Sequence, residues 1–213
     1  LALMSQKLGK KVFIVVERPS ELEIIDRVAK EINIKPNIGF RIKLISSGEG
    51  RWAESGGEYS KFGLNSMELI DALDFAEKRG IKDCIRLIHF HLGSQITNIR
   101  RIKNSLKEVG RFYAEFRELG FPIDYIDVGG GLGVDYDGSR STYASSTNYS
   151  VQEYANDVVY HILESCQKEN LPHPNIISES GRAMTAYHSI LVFDVLDVTS
   201  FPEWNEEVKL PKD

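Results

Sequence analysis

The feature that most constrains this chain is a regular alternation, in which short β-rich apolar runs are each followed by a stretch of helical periodicity. The first residues, LALMSQKLGKK, read as the last turns of a helix closing at Gly9 with Lys7 beside it. VFIVVE at 12–17 then leads into a helix opening at Ser20, with Glu23 three residues on as its capping partner, and NIGFRIKL at 37–44 completes a strand–helix–strand unit. The pattern repeats: a helix over about 66–79, IRLIHFH at 85–91, a helix to Gly120, IDYIDV at 123–128, a helix from Val151, and NIISES at 175–180. Serial units of this kind imply a parallel sheet, because the crossover through a helix returns the chain to the same sheet edge in the same direction.

An open doubly wound sheet and a closed (β/α) barrel both satisfy that pattern. The polar residues choose between them. HLGS follows one strand, GGGLG another and ESGR a third, each at the C-terminal end. In a barrel those ends converge on one mouth, whereas in an open sheet only the strands at the switch point contribute. The expectation is therefore an α/β fold of TIM-barrel type. A whole barrel takes roughly 250 residues, so the chain is expected to hold part of one over 1–188. SILVFDVLDV at 189–198 is predicted as an exit strand, and the acidic FPEWNEEVKLPKD after it as the start of an insertion or second domain over 189–213.

Composition narrows the partners. With 42% apolar residues, 27% charged residues and a formal charge of −5, the chain can bury a core and lacks the basic footprint of a nucleic-acid binder. No apolar run reaches the roughly 20 residues that span a bilayer, and the start has no signal-peptide pattern. A cytoplasmic protein acting on small molecules is expected. The two cysteines, Cys84 and Cys166, form no CxxC motif and read as buried thiols.

Three constellations carry chemistry. Gly129, Gly130 and Gly131 could let backbone N–H groups approach a phosphate, or could merely make a tight turn. They do not follow GxGxxG spacing, since only Gly129, Gly131 and Gly133 are suitably placed and Val134 is neither glycine nor alanine. In HFHLGS, His89 and His91 fall on one side of a strand with His91 nearer the mouth. His91 reads as an inward, hydrogen-bonded histidine, as a metal ligand, or as a flat ring stacked on a planar cofactor; His161, His173 and His188 show no ligand spacing, so any metal stays unknown. Gly93 and Ser94 beyond it could meet a phosphate. In ESGR, Glu179 is either paired with Arg182 or placed to hold a proton on a heterocyclic nitrogen, with Gly181 and Arg182 as phosphate contacts.

A stacking histidine, a ring-facing carboxylate and phosphate donors from three strand ends together describe a pyridoxal phosphate site. HFHLGS, DVGGGLGVDY and ESGR resemble the motifs of the alanine-racemase-type barrel family of pyridoxal phosphate decarboxylases. Within it, GEGRWAESGGEYSKFGL, DVGGGLGVDYDGSRS and NYSVQEYANDVV are most similar to the arginine decarboxylase branch, and the likeness runs along nearly the whole chain. The resemblance implies pyridoxal 5'-phosphate as cofactor, with magnesium as a family association, and decarboxylation of L-arginine to agmatine and carbon dioxide on the way to polyamines. It implies that His91 stacks on the pyridine ring, that Glu179 pairs with the ring nitrogen, and that Ser94, Gly129, Gly130, Gly131, Gly181 and Arg182 lie at the phosphate. It assigns the run Ile126, Asp127, Val128, Gly129, Gly130, Gly131, Leu132, Gly133, Val134, Asp135 and Tyr136 to substrate binding. It also implies a homo-oligomer for the full-length protein.

Two parts of that family's machinery have no counterpart here. The lysine that carries the cofactor belongs to an early-strand motif that does not occur, and Lys43 and Lys61 sit in other contexts. The C-terminal β-domain is missing too, so the chain by itself is expected to be inactive. Related decarboxylases of ornithine, diaminopimelate or carboxynorspermidine share all three motifs. A non-catalytic cofactor-binding homologue remains a reading of another class, and a phosphate-binding barrel isomerase or aldolase would leave the His91 and Glu179 pairing unexplained.

Overall fold

Each apolar run becomes a short parallel strand, and each periodic stretch a helix, with boundaries set by local chemistry. The computed structural model describes residues 1–45 and 61–200; GEGRWAESGGEYS at 48–60 and the tail after Ser200 lie outside them. The order is α1 (Ala2–Lys7), β1 (Ile14–Val16), α2 (Pro19–Glu31), β2 (Ile38–Arg41), α3 (Ser66–Lys78), β3 (Ile85–His89), α4 (Ile99–Glu118), β4 (Tyr125–Gly130), α5 (Val151–Lys168), β5 (Asn175–Glu179) and α6 (Gly181–Thr185).

The helix starts follow capping chemistry. Asn65 and Glu68 exchange side-chain-to-backbone bonds at the head of α3, both at 2.9 Å, and Ser150 with Glu153 does the same for α5. At α2 the expected start is corrected. The helix opens at Pro19 rather than Ser20, and Glu21 instead of Glu23 accepts the N–H groups of Glu17 and Arg18. Proline at the first helical position explains it, since its fixed φ suits the helix and its missing N–H would have had no partner there.

The five strands pair in sequence order, β1-β2-β3-β4-β5, every pair parallel. No strand order reverses among the described residues, so the switch point of a doubly wound sheet is absent from them. Phe40, Ile85, Ile88 and Ile126 are almost fully buried within the sheet, and Leu22, Ala76, Leu106, Val109 and Phe116 cover it from the helices. Each large apolar side chain removed from water in this way contributes roughly 1.5–3 kcal/mol. Asp26 on α2 is also buried, and it ties the helix layer together through Lys30 at 2.9 Å and Arg79, at the end of α3, at 2.6 Å. The expected exit strand does not form. Residues 189–200 carry no regular element, and Ile190, Val192 and Leu196 are 87%, 87% and 95% exposed. A strand needs an edge to bond to, and these residues pair with none of the described strands.

Candidate active site

All the sequence-predicted motifs lie at the C-terminal ends of β3, β4 and β5, and the sheet register brings them together. His89 stands opposite Asp127, and Gly130 opposite Glu179. Between these points the β4–β5 register shifts, because β4 advances from Asp127 to Gly130 while β5 advances only from Ile177 to Glu179. That is a β-bulge, and Gly129 occupies it with φ +66°.

The glycine run is therefore a packing device first. A Cβ on Gly129 would stand 2.3 Å from the Phe90 carbonyl oxygen and 3.1 Å from His91 Nδ1; one on Gly130 would stand 2.3 Å from the Glu179 oxygen; one on Gly131, at φ +83°, would stand 1.8 Å from the Gly93 oxygen. Three strand ends close on one another only because these positions lack side chains. Two of the three amides are already engaged: Gly129 N–H donates to Asp127 Oδ1 at 2.9 Å, and Gly130 N–H to His91 Nδ1 at 3.3 Å. Gly131 is the member that lines the open cleft.

That cleft, of about 140 Å³, is lined by His91, Gly93, Ser94, Gly131, Leu132, Glu179, Ser180, Arg182 and Ala183. Arg182 donates to the Ser94 hydroxyl, which links the loop after β3 to the helix after β5. The sequence offered Arg182 as a salt-bridge partner for Glu179; among the described residues Glu179 has no ion pair and presents its carboxylate at the cleft. His91 keeps its ring edge on Gly130, so Nδ1 is the unprotonated nitrogen of the neutral ring. Burial and the nearby Arg41 guanidinium hold its pKa below the usual histidine range. Arg41 itself pairs with Glu17 at 2.5 Å.

Several members of the predicted substrate run point elsewhere. Ile126, Val128 and Val134 are 0%, 5% and 3% exposed, their side chains packed away from the cleft. Leu132 does both, since it is buried and also touches the cleft. Asp135 accepts the Ser146 hydroxyl at 2.6 Å, and Gly133 N–H donates to the Tyr149 hydroxyl at 2.9 Å. Tyr136 is 53% exposed. Asp137 accepts from the Ser145 hydroxyl and the Ser139 N–H, which holds its carboxyl at about 2. Gly181 has open space around it and does not line the cleft.

Sequence reasoning passed over two groups. His89 was expected to share a face with His91, but β3 ends at His89 and strand alternation stops there. His89 instead lies 3.1 Å from Asp127 Oδ2, and the ligating atoms of His89, Asp127 and Glu179 all lie within 4.8 Å of one another. Gln95, at φ +51°, uses its amide as a substitute strand, donating to the Val134 carbonyl at 2.7 Å and accepting from Val134 N–H at 3.0 Å. It locks the loop carrying Ser94 to the loop after β4. The position directly after HLGS was its one sequence signal.

Residues 3–186 match the family described as pyridoxal-dependent decarboxylase, pyridoxal binding domain. The chain belongs to that family. This pyridoxal-dependent decarboxylase domain is 55% identical over its whole length to the biosynthetic arginine decarboxylase of Bacteroides thetaiotaomicron, of which it covers 34%. It is 54% identical over 92% of its length to that of Aeromonas hydrophila, covering 31% of it. Among solved structures, the biosynthetic arginine decarboxylase SpeA from Campylobacter jejuni is similar with a TM-score of 0.73 and 36% identity, over 85% of this chain and 29% of that one. Diaminopimelate decarboxylase from M. jannaschii, in complex with L-lysine, follows with a TM-score of 0.70 and 25% identity, over 86% and 41%. The domain thus spans about a third of the length of the curated relatives it matches.

The site fits pyridoxal phosphate on its own chemistry. A guanidinium bonded to a hydroxyl, a carboxylate with no ion pair among the described residues and a flat, edge-anchored ring all belong to residues lining this cleft. No helix among the described residues is long and apolar enough to cross a membrane.

Proposed function

We propose that the full-length protein is a biosynthetic arginine decarboxylase, and that this domain forms part of a (β/α) barrel whose mouth holds pyridoxal phosphate. The observation that carries the reading is the single cleft joining His91, Ser94, Gly131, Glu179 and Arg182 from three strand ends. The sequential strand order supports the barrel, and identity above 50% along the chain supports arginine over the other substrates of the family.

Pyridoxal phosphate, when bound, supplies the electron sink that makes loss of carbon dioxide from an amino acid feasible. The domain's residues do the rest. Arg182 and Ser94 would neutralise and orient the phosphate, in the cleft that Gly131 also lines. His91, held at its ring edge by Gly130 N–H, would offer its flat face to the cofactor ring. Glu179, as a carboxylate, holds a proton at the ring nitrogen. Within the predicted substrate run, Leu132 is the side chain placed to meet a ligand in the cleft. In this reading the protein works in the cytoplasm on a small amino acid and assembles with copies of itself, and magnesium stays a family association.

Assaying the full-length protein against arginine, ornithine, diaminopimelate and carboxynorspermidine tests the substrate. Agmatine formation from arginine at a kcat/KM well above the others is expected, and preference for another amino acid refutes it. Lys43 and Lys61 do not line the cleft, so residues 1–213 alone should form no agmatine.

A further inference from the structure

Ser94 is exposed at the cleft, where its hydroxyl accepts from Arg182. The residue after it sets its position. Gln95 does not line the cleft, and its half-buried side chain lies in the seam between two loops. Its carboxamide pairs with Val134 as one peptide pairs with another: Nε2 donates to the Val134 carbonyl at 2.7 Å, and Oε1 accepts from Val134 N–H at 3.0 Å. Nε2 also reaches the Ser146 carbonyl at 3.3 Å, so one side chain holds the loop after β3 to two points of the loop after β4.

The backbone bends to make this possible. Gln95 has φ +51°, a left-handed conformation seldom taken by residues other than glycine, asparagine and aspartate. Other side chains serve the seam less well: glutamate has no N–H for the two carbonyls, asparagine is one methylene shorter, and methionine has the length without the amide. Beyond Gln95 the seam continues by separate means. Ile96 N–H donates to the Gly131 carbonyl at 2.8 Å, and the buried Tyr149 hydroxyl donates to the Ile96 carbonyl at 2.7 Å while accepting from Gly133 N–H at 2.9 Å. These bonds keep the loops together without Gln95. Its removal therefore frees the neighbouring Ser94 and leaves the loops in place.

We propose that Gln95 is a positioning residue for the phosphate end of the cleft: clamped to Val134 and Ser146, it sets Ser94 beside Arg182 so that hydroxyl and guanidinium meet one phosphate group together. This rests on the reading of Ser94 and Arg182 as phosphate contacts. Gln95 acts through Ser94 and does not itself meet the cofactor.

The test uses the full-length protein freed of cofactor, carrying Gln95→Met, Gln95→Gly, Ser94→Ala, or Gln95→Met with Ser94→Ala. Each is titrated with pyridoxal phosphate and, separately, with pyridoxal, which lacks the phosphate. Gln95→Met should weaken pyridoxal phosphate by about tenfold, the size of one misplaced hydrogen bond to a charged group, and leave pyridoxal nearly unchanged. Gln95→Gly should do the same, although it relieves the left-handed backbone. The double variant should bind no more weakly than Ser94→Ala, because Gln95 then has no hydroxyl to position. A merely structural role predicts equal losses for the two ligands, or losses that add in the double variant, and either result would overturn the proposal. So would wild-type affinity in Gln95→Gly. If Ser94→Ala leaves pyridoxal phosphate affinity unchanged, the phosphate reading of Ser94 falls and this proposal with it; if Ser94→Ala weakens it and Gln95→Met does not, only the present proposal falls. Should Gln95→Met fail to fold, Gln95→Gly takes its place, alone and with Ser94→Ala, under the same expectations.

Discussion

Replacing Gly131 by alanine separates a phosphate grip from a packing requirement. Its φ of +83° is a left-handed conformation, and a Cβ there would lie 1.8 Å from the Gly93 oxygen. Gly138 is the control, since its φ of +74° demands the same conformation but a Cβ would meet nothing within 4 Å. For Gly138→Ala the left-handed backbone costs roughly 1–2 kcal/mol, offset by roughly 0.4–1 kcal/mol from the stiffer unfolded chain. The net is about 1 kcal/mol. Gly131→Ala carries the same term plus about 1–3 kcal/mol for forcing a methyl into occupied space, or about 2–4 kcal/mol against a typical total of about 5–15 kcal/mol.

Thermal unfolding of cofactor-free protein reads the difference directly. At roughly 2–4 °C per kcal/mol for a chain of this size, Gly138→Ala should lower Tm by a few degrees and Gly131→Ala by about 5–15 °C. Gly130→Ala should fall with Gly131→Ala although its φ is ordinary, because its Cβ would stand 2.3 Å from the Glu179 oxygen. Equal Tm losses for all three variants would refute the packing argument and return the run to a plain turn.

Other outcomes follow from the same geometry. Glu179→Ala should cut turnover of the full-length enzyme far more than cofactor affinity, by comparison of kcat with the cofactor dissociation constant; near-normal turnover would defeat the ring-nitrogen role. Arg182→Ala should do the reverse, weakening pyridoxal phosphate by about tenfold or more while leaving binding of pyridoxal, which lacks the phosphate, nearly unchanged. His91, partly desolvated at the cleft wall and in the field of Arg41, should titrate by NMR below the ordinary value near 6.5; its folded pKa is depressed, so the unfolded chain binds the proton better and stability falls as pH drops through that value. Asp26 behaves with the usual carboxylate sign. Burial alone would raise its pKa, but hydrogen bonds from Lys30 and Arg79 outweigh that and lower it. The stability it adds is present above about pH 4 and lost as pH falls below, so Asp26→Asn should destabilise by about 1–2 kcal/mol at pH 7 with a shrinking deficit in acid.

The alternation of strands and helices was legible because burial imposes a period of 2 or 3.6 on the residues, and HLGS, GGGLG and ESGR were legible because they stand where strands end. What escaped sequence reasoning depends on backbone direction. The face shared by His89 and His91 was inferred by extending strand alternation two residues past the end of β3. The exit strand at 189–198 was inferred from composition, which says nothing of whether an edge is available to pair with. The Glu23 cap was inferred from spacing, where Pro19 held the better information.

The glycine run shows most clearly how the two levels meet. Three consecutive glycines invite a nest reading, in which every amide faces the ligand. The bulge at Gly129 changes that assignment residue by residue: one amide goes to Asp127, the next to His91, and Gly131 stays at the cleft. The same backbone therefore fixes Asp127, sets the ring orientation of His91 and, through Gly130, seats Glu179. A phosphate contact needs one such amide. Seating His91 and Glu179 needs glycine at 129 and 130, where a Cβ would meet His91 or the Glu179 carbonyl, so a substitution at either should disturb those two residues first, whereas one at 131 meets Gly93.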